Sequence, residues 1–349
     1  MPSPKKVCLV GSVPMASSKE VFTVVGGRLR DVLARLPDGE TGIRGYWIAR
    51  QAEVFHRHPA FEPVAHDWAP DREMLKSRAP RYRLKAGADP KTLVIPSFGY
   101  PRFARDSYRE FLEVRRSGLF AADTRFQVCL PTPLSFYSSL IDPSSSEAVA
   151  PAIEKEMIRE AMEIIDLIPA EDLAIQWDVC PEMLIWEGNR SIFFDDPRAE
   201  IVDRLAALGN LVPDSAELGY HFCYGDFQHK HYVEPQDMGN MVSMANALKS
   251  RLARQITWVH FPVPRDRSDA SYFSPLGQLS LSPKTEVYLG LVHFTDGESG
   301  TRQRMATASS YLPNYGIATE CGWGRRDPTT IEKLLEIHLI CAQGEGLAC

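Results

Sequence analysis

The chain has no run of apolar residues approaching the ~18 that a membrane-crossing helix requires. It has no apolar leader either, because Met1-Pro2-Ser3-Pro4-Lys5-Lys6 runs straight into a strand pattern. Both absences make a cytoplasmic setting the expectation. Positive charge is not in excess: 39 Lys and Arg against 45 Asp and Glu leave a formal net charge of −6, which argues against a general nucleic-acid binder. The seven cysteines are odd in number and scattered at 8, 129, 180, 223, 321, 341 and 349, which is not the pattern of a disulfide framework. In a reducing compartment they would be thiols. Internal repeats, low-complexity tracts and long linkers are missing, and no Gly-rich dinucleotide fingerprint follows the first strand.

What is there is the material of a globular enzyme. The 349 residues are 44% hydrophobic and 24% charged, enough for a sizeable core in a single domain spanning 1–349. Short apolar strands end, one after another, in polar or reactive residues: Val7–Val10 before Gly11-Ser12, Ala34–Pro37 before Asp38-Gly39-Glu40, Phe126–Leu130 before Pro131, and Leu173–Trp177 before Asp178. Leu218–Tyr220 precedes His221, Ile256–Val259 precedes His260, Val287–Val292 precedes His293, and Gly316–Thr319 precedes Glu320-Cys321. Helical periodicity lies between them, as over Ile153–Ile168 and Met241–Leu252. Eight strands alternating with helices predict an α/β fold, a (β/α)₈ TIM barrel, with the polar strand ends at its active face. The long connection between strands 2 and 3, roughly 49–120, reads as an insertion, with one further strand-like run at Thr92–Pro96. A doubly wound open sheet is the fold alternative.

A His-x-Cys on one strand puts both side chains on one face, because strand side chains alternate with period two. His221 and Cys223 have that spacing, and Cys321 arrives from the last strand to make a soft, zinc-preferring set. His260, ending the sixth strand, is placed to supply a fourth ligand. His229 and His231 resemble a second metal pair, but a solvated loop explains them better. Cys8 and Cys129 read as core, and Cys341 and Cys349 carry no functional signal. Arg115-Arg116 and Arg325-Arg326 read as solvated surface, while Arg302 and Arg304 are candidates to face an anionic substrate. Aromatic residues crowd the expected mouth, Trp47, Trp177, Tyr224 and Trp258 among them, and suit a bulky or flat substrate beside the metal.

The order of these motifs resembles the cobalamin-independent methionine synthase superfamily, its C-terminal catalytic barrel and short single-barrel relatives. Gly11-Ser12-Val13-Pro14 is similar to the family's Gly-Ser-Phe-Pro loop, and Gly39-Glu40-Thr41-Gly42-Ile43-Arg44 to its Gly-Glu-x-x-x-Arg segment. Ile175-Gln176-Trp177-Asp178 resembles Gln-x-Asp-Glu-Pro, His221-Phe222-Cys223-Tyr224 matches His-x-Cys-Tyr, and Glu320-Cys321-Gly322 is similar to Asp-Cys-Gly. The resemblance implies Zn²⁺ on His221, Cys223 and Cys321. It also implies Ser12 holding the carboxylate of an amino-acid-like thiol, Glu40 and Asp178 holding its ammonium group, and His293 as proton donor.

Two departures stand out. The family's sixth-strand Glu ligand has no counterpart, which leaves His260 as the substitute, and the Glu-Pro after the fourth-strand Asp is Val179-Cys180-Pro181 here. With two imidazoles the zinc site would be neutral, a weaker activator of a bound thiolate and a better Lewis acid.

Transfer of a methyl or other alkyl group to or from a zinc-bound thiol is therefore the leading expectation, with a folate as one candidate methyl donor. A zinc-dependent lyase or hydrolase of a small, aromatic metabolite is the alternative, and a structural zinc barrel ranks third. The partners expected are a small-molecule thiol and an alkyl donor, with no nucleic acid and no membrane. The oligomeric state stays open, a homodimer being compatible with an acidic barrel.

Overall fold

The computed structural model describes residues 6–64, 80–226 and 231–343. Its centre is a curled parallel sheet of seven strands: β1 (Arg35–Pro37), β4 (Arg125–Pro131), β5 (Leu173–Val179), β6 (Glu217–Phe222), β7 (Trp258–Pro262), β8 (Glu286–Val292) and β9 (Gly316–Thr319), hydrogen-bonded in that order. A separate antiparallel pair, β2 (Phe61–Pro63) and β3 (Tyr82–Leu84), lies in the long connection after β1. With helices following the strands, the architecture is TIM-barrel-like.

Seven of the eight expected strands form. The eighth, Val7–Val10, pairs only at points: Val7 bridges to Leu33 and Ile317, and Ser12 to Gly39. The Cys8 N–H donates to the Ile317 carbonyl at 2.9 Å and the Val7 N–H to the Val32 carbonyl at 3.0 Å, so the segment lies between the two edges of the sheet without a continuous ladder. The Thr92–Pro96 run is not a strand. It follows a 3-10 turn at Pro90–Thr92 and leads into the helix Tyr100–Arg116. The helix expected from Ile153 starts ten residues earlier, at Pro143, where the Asp142 carboxylate accepts from the Ser144 N–H as an N-cap; Pro151 sits inside it. Among the described residues no helix is long and apolar enough to cross a membrane.

Alternation divides each strand between two cores. Ile175, Trp177, Tyr220, Phe222, Val259 and Phe261 face the helices in the main core. Cys8, Ala174, Trp258, Tyr288 and Ala318 form a second cluster inside the sheet's curl. Beneath it Arg35 is buried, bonded to Glu217, Glu286 and Tyr288, with its guanidinium 4.2 Å from the centroid of the Trp258 ring. Above it, in register across β5, β6 and β7, come Asp178, His221 and His260.

The inner cluster depends on small residues beside large ones. A Cβ on Gly219 would lie 1.9 Å from Cε2 of Trp258. Gly219→Ala is therefore expected to destabilise the protein by about 3 kcal/mol, the upper part of the range for overpacking a closed core. Urea unfolding measures it, and an unchanged midpoint would mean that the Trp258 ring has room to move.

Candidate functional site

His221 and Cys223 face inward from the end of β6, and Cys321 follows β9. One ligand atom from each of the three lies within 4.8 Å of the others. The two sulfurs are 3.9 Å apart, and Cys321 Sγ is 3.9 Å from His221 Nε2. Two thiolates on one tetrahedral zinc at ~2.3 Å would be roughly 3.8 Å apart, and a thiolate and an imidazole nitrogen roughly 3.6 Å. The spacing and the donor chemistry fit that ion. Without a metal the thiols stay protonated. The Cys321 thiol is pushed well up by its hydrogen bond with Cys223 and by burial; the Cys223 thiol is pushed up first by its contact with Cys180 and further by burial.

His260 is not beside the sulfurs. Its Nε2 is 3.0 Å from the Thr319 carbonyl, and its Nδ1 is 2.7 Å from Nδ1 of His221. Burial lowers its pKa to about 4, so the ring is neutral near pH 7 and only one nitrogen carries a proton. A carbonyl can only accept, so that proton is on Nε2 and Nδ1 accepts from His221. His221 then holds its own proton on Nδ1 and presents the Nε2 lone pair towards Cys321. The expected fourth ligand is thus a support that sets the tautomer of the His221 imidazole. Sequence placed it at the right strand end, but both its nitrogens are spent on neighbours. His260→Ala is expected to weaken zinc binding by roughly 10–100-fold while leaving all three donors in place. Chelator competition reads this, and an unchanged affinity would remove the supporting role.

Beside this cluster lies a cleft of about 600 Å³, lined by Ser12, Glu40, Trp47, Asp178, Cys180, Asp226, Tyr232 and Arg325 as well as the His/Cys cluster. Asp178 is fixed from two sides: Gln176 Nε2 donates to Oδ1 at 2.9 Å and Trp47 Nε1 to Oδ2 at 3.3 Å. Glu40 is held by its backbone, whose N–H donates to Asp38 Oδ1 at 2.9 Å; Asp38 in turn accepts from Arg44 and Ser107. No hydrogen bond from a described residue fixes the Glu40 carboxylate. Both site carboxyls are pushed up, Glu40 by burial and then by the Asp178 charge, Asp178 chiefly by burial. Glu182, hydrogen-bonded to Thr132, is raised by burial to about 7. Ser12 Oγ accepts from the Gly324 N–H at 3.2 Å, and its backbone carbonyl accepts from the Trp323 N–H at 2.6 Å. A Cβ on Gly322 would sit 2.4 Å from that hydroxyl oxygen, so any other residue there would force the Ser12 side chain to turn away.

Glu40 and Trp47 are the two non-glycine residues with left-handed backbone among the described residues, at φ 44° and 45°. Conformations of this kind cost of order 1–3 kcal/mol each and gather at functional sites.

Other expected site residues fall elsewhere. Trp177 and Tyr224 are fully buried in the outer core and do not line the cleft; the Tyr224 hydroxyl donates to Glu187 at 2.7 Å. Trp177 neighbours an inward Asp178, so period two turns it outward. His293 also stands off the cleft: its Nε2 is 2.9 Å from the Val263 carbonyl, and its Nδ1 is 3.8 Å from Glu320. Burial, then the Arg304 charge, lowers its pKa to about 3, so the ring is neutral near pH 7. The β8–β9 register shifts between Leu289 and Val292, and parity counted along the sequence fails past that point.

Arg304 faces no substrate: it is buried against the Leu291 and Arg265 carbonyls and paired with Asp296. Arg302 pairs with Glu298 one helical turn away. Arg325, expected on the solvated surface, lines the cleft with Asp226 Oδ2 3.8 Å away. The His231 side chain is buried, 3.0 Å from Glu234 and 3.5 Å from Glu320, and not in a solvated loop. His229 lies outside the described residues. Tyr232, Asp226 and Cys180 were missed by sequence reasoning. Cys180 alone had a signal, standing two residues past the inward Asp178.

The whole fold has close relatives in shape. A candidate vitamin-B12-independent methionine synthase from Listeria monocytogenes superposes with a TM-score of 0.58 at 11% identity, over 99% of this chain and 100% of that one. A B12-independent methionine synthase from a Shewanella species, in complex with selenomethionine, gives 0.57 at 12% identity over 97% of each. A methyltransferase from Methanosarcina mazei gives 0.51 at 12% identity, over 97% of this chain and 93% of that one. The fold is that of the B12-independent methionine synthase structures, from end to end. No protein-family model matches the chain, and neither does any curated sequence.

Proposed function

We propose that the protein is a zinc-dependent enzyme that transfers a methyl or other alkyl group to or from a small thiol bound at His221, Cys223 and Cys321. The observation carrying this reading is the convergence of those three donors, from strands far apart in the chain, beside a cleft lined by the buried Asp178 and the half-buried Glu40. Bound zinc would supply a thiolate near neutral pH by lowering the thiol's pKa.

The chain's own groups account for the rest. Glu40 and Asp178, neither of them salt-bridged to a cation among the described residues, suit an ammonium group on the substrate. Ser12 and Arg325 lie on the same wall and suit its carboxylate. Trp47 orients Asp178, and His260 orients His221. His293, expected as the proton donor, would reach the substrate only if it moved away from the Val263 carbonyl. Trp177 and Tyr224 shape the wall from behind.

The test is direct. Purified protein should contain close to one zinc per chain, and an amino-acid-like thiol should change the zinc X-ray absorption spectrum and be alkylated by a methyl donor, methyl-folates included. A spectrum untouched by thiols, with turnover of a carbonyl or hydroxy metabolite instead, would replace this reading with the zinc lyase or hydrolase.

A further inference from the structure

Three donors leave a tetrahedral ion one short, and His260 cannot supply the fourth because both its nitrogens are engaged. Three of the neighbouring carboxylates are also committed, and the fourth, Glu40, is a hard oxygen donor assigned above to the substrate's ammonium group. Asp178 accepts from Gln176 and Trp47, Glu320 stands between His231 and His293, and Asp226 faces Arg325.

Cys180 remains. It follows β5, two residues beyond Asp178. In the β5–β6 ladder Asp178 pairs with His221 and Val179 with Phe222, and the Cys223 N–H donates to the Val179 carbonyl at 2.9 Å. The next step of that ladder sets Cys180 beside Cys223, so the inward pair Asp178 and Cys180 runs alongside the inward pair His221 and Cys223. Both thiols line the cleft. Cys180 is buried, which suits a donor more than a surface thiol.

We infer that Cys180 is the fourth protein donor of the metal centre, completing a three-cysteine, one-histidine set for a soft divalent cation. This rests on the zinc reading above. Three thiolates and one neutral imidazole around a divalent ion carry one net negative charge, whereas a set using His260 would be neutral. Exchange of one of these thiolates for a substrate thiolate would keep that charge unchanged. Cys180 lies outside the tight grouping of the other three, so it is the donor that a substrate sulfur can replace.

The experiment is zinc-edge X-ray absorption on the full-length protein loaded with Zn²⁺ alone, without substrate. Wild type should show three sulfurs and one nitrogen, and Cys180→Ser two sulfurs with the remainder nitrogen or oxygen. Chelator competition should show zinc affinity falling by at least roughly 10-fold in that variant, the lower end of what loss of a mere supporting partner costs. A wild-type count of two sulfurs, or a variant unchanged in both measurements, overturns the assignment; the wild-type count decides even if the variant fails to fold. The wild-type spectrum separates this failure from that of the zinc reading: two sulfurs mean that Cys180 alone is no ligand, whereas no zinc–sulfur scattering means that the chain holds no zinc at these residues.

Discussion

Cys223→Ser and Cys321→Ser are each expected to take the protein from close to one zinc per chain to close to none, and alkyl transfer with it. The magnitude follows from comparison. Removing a group that merely supports a ligand costs roughly 10–100-fold in metal affinity, so removing a thiolate from so small a donor set should cost roughly a thousandfold or more. The structure gives the loss a further reason. Each sulfur is 3.9 Å from another donor of the group, so a serine at either position leaves too few soft donors in reach. Elemental analysis after dialysis against a weak chelator checks it, with circular dichroism to confirm the fold. Retained zinc in both variants would mean that the ion, if present, sits elsewhere.

Replacing the carboxyl pair should have the second largest effect. A charge-assisted hydrogen bond to a buried ion contributes ~1.5–3 kcal/mol, so Glu40→Gln and Asp178→Asn should each lower kcat/KM for an amine-bearing thiol by roughly 10–100-fold. Thiols lacking the amine should be almost unaffected, and equal losses for both would take the ammonium role away. The same groups set a pH dependence in the ligand-free protein. Burial, then the Asp178 charge, raises Glu40 to about 8. A carboxyl raised by folding contributes stability that is fully present below its unfolded pKa and is lost as pH rises through the folded value. Ligand-free protein should therefore weaken between about pH 4.5 and pH 8, and Glu40→Gln should flatten that decline in urea titrations. An unchanged slope would show that Glu40 is already ionised, held by a partner other than the substrate.

Most of the sheet was legible because its strands are short apolar runs ended by polar residues, and seven formed within about three residues of where the pattern put them. The grouping of His221, Cys223 and Cys321, which could hold a metal, was legible for the same reason: period two sets His221 and Cys223 on one face. The period, applied consistently, would also have turned Trp177 and Tyr224 outward and Cys180 inward. Other features were not encoded locally. The hydrogen bonds that draw His260 behind His221 come from Thr319 on a strand far along the chain, and the register shift before His293 leaves no mark in composition. Arg325 looked like any surface cation because its place in the cleft is set by the loop that packs Gly322 and Gly324 against Ser12.

The left-handed backbones of Glu40 and Trp47 have a consequence for the molecule under selection. Glycine at 47 would relieve that strain, but it would give up an indole that both packs against the core and steadies Asp178. A library screened on turnover should therefore keep a hydrogen-bonding aromatic side chain at 47, while one screened on survival at high temperature, with no substrate supplied, should accept other aromatic side chains there.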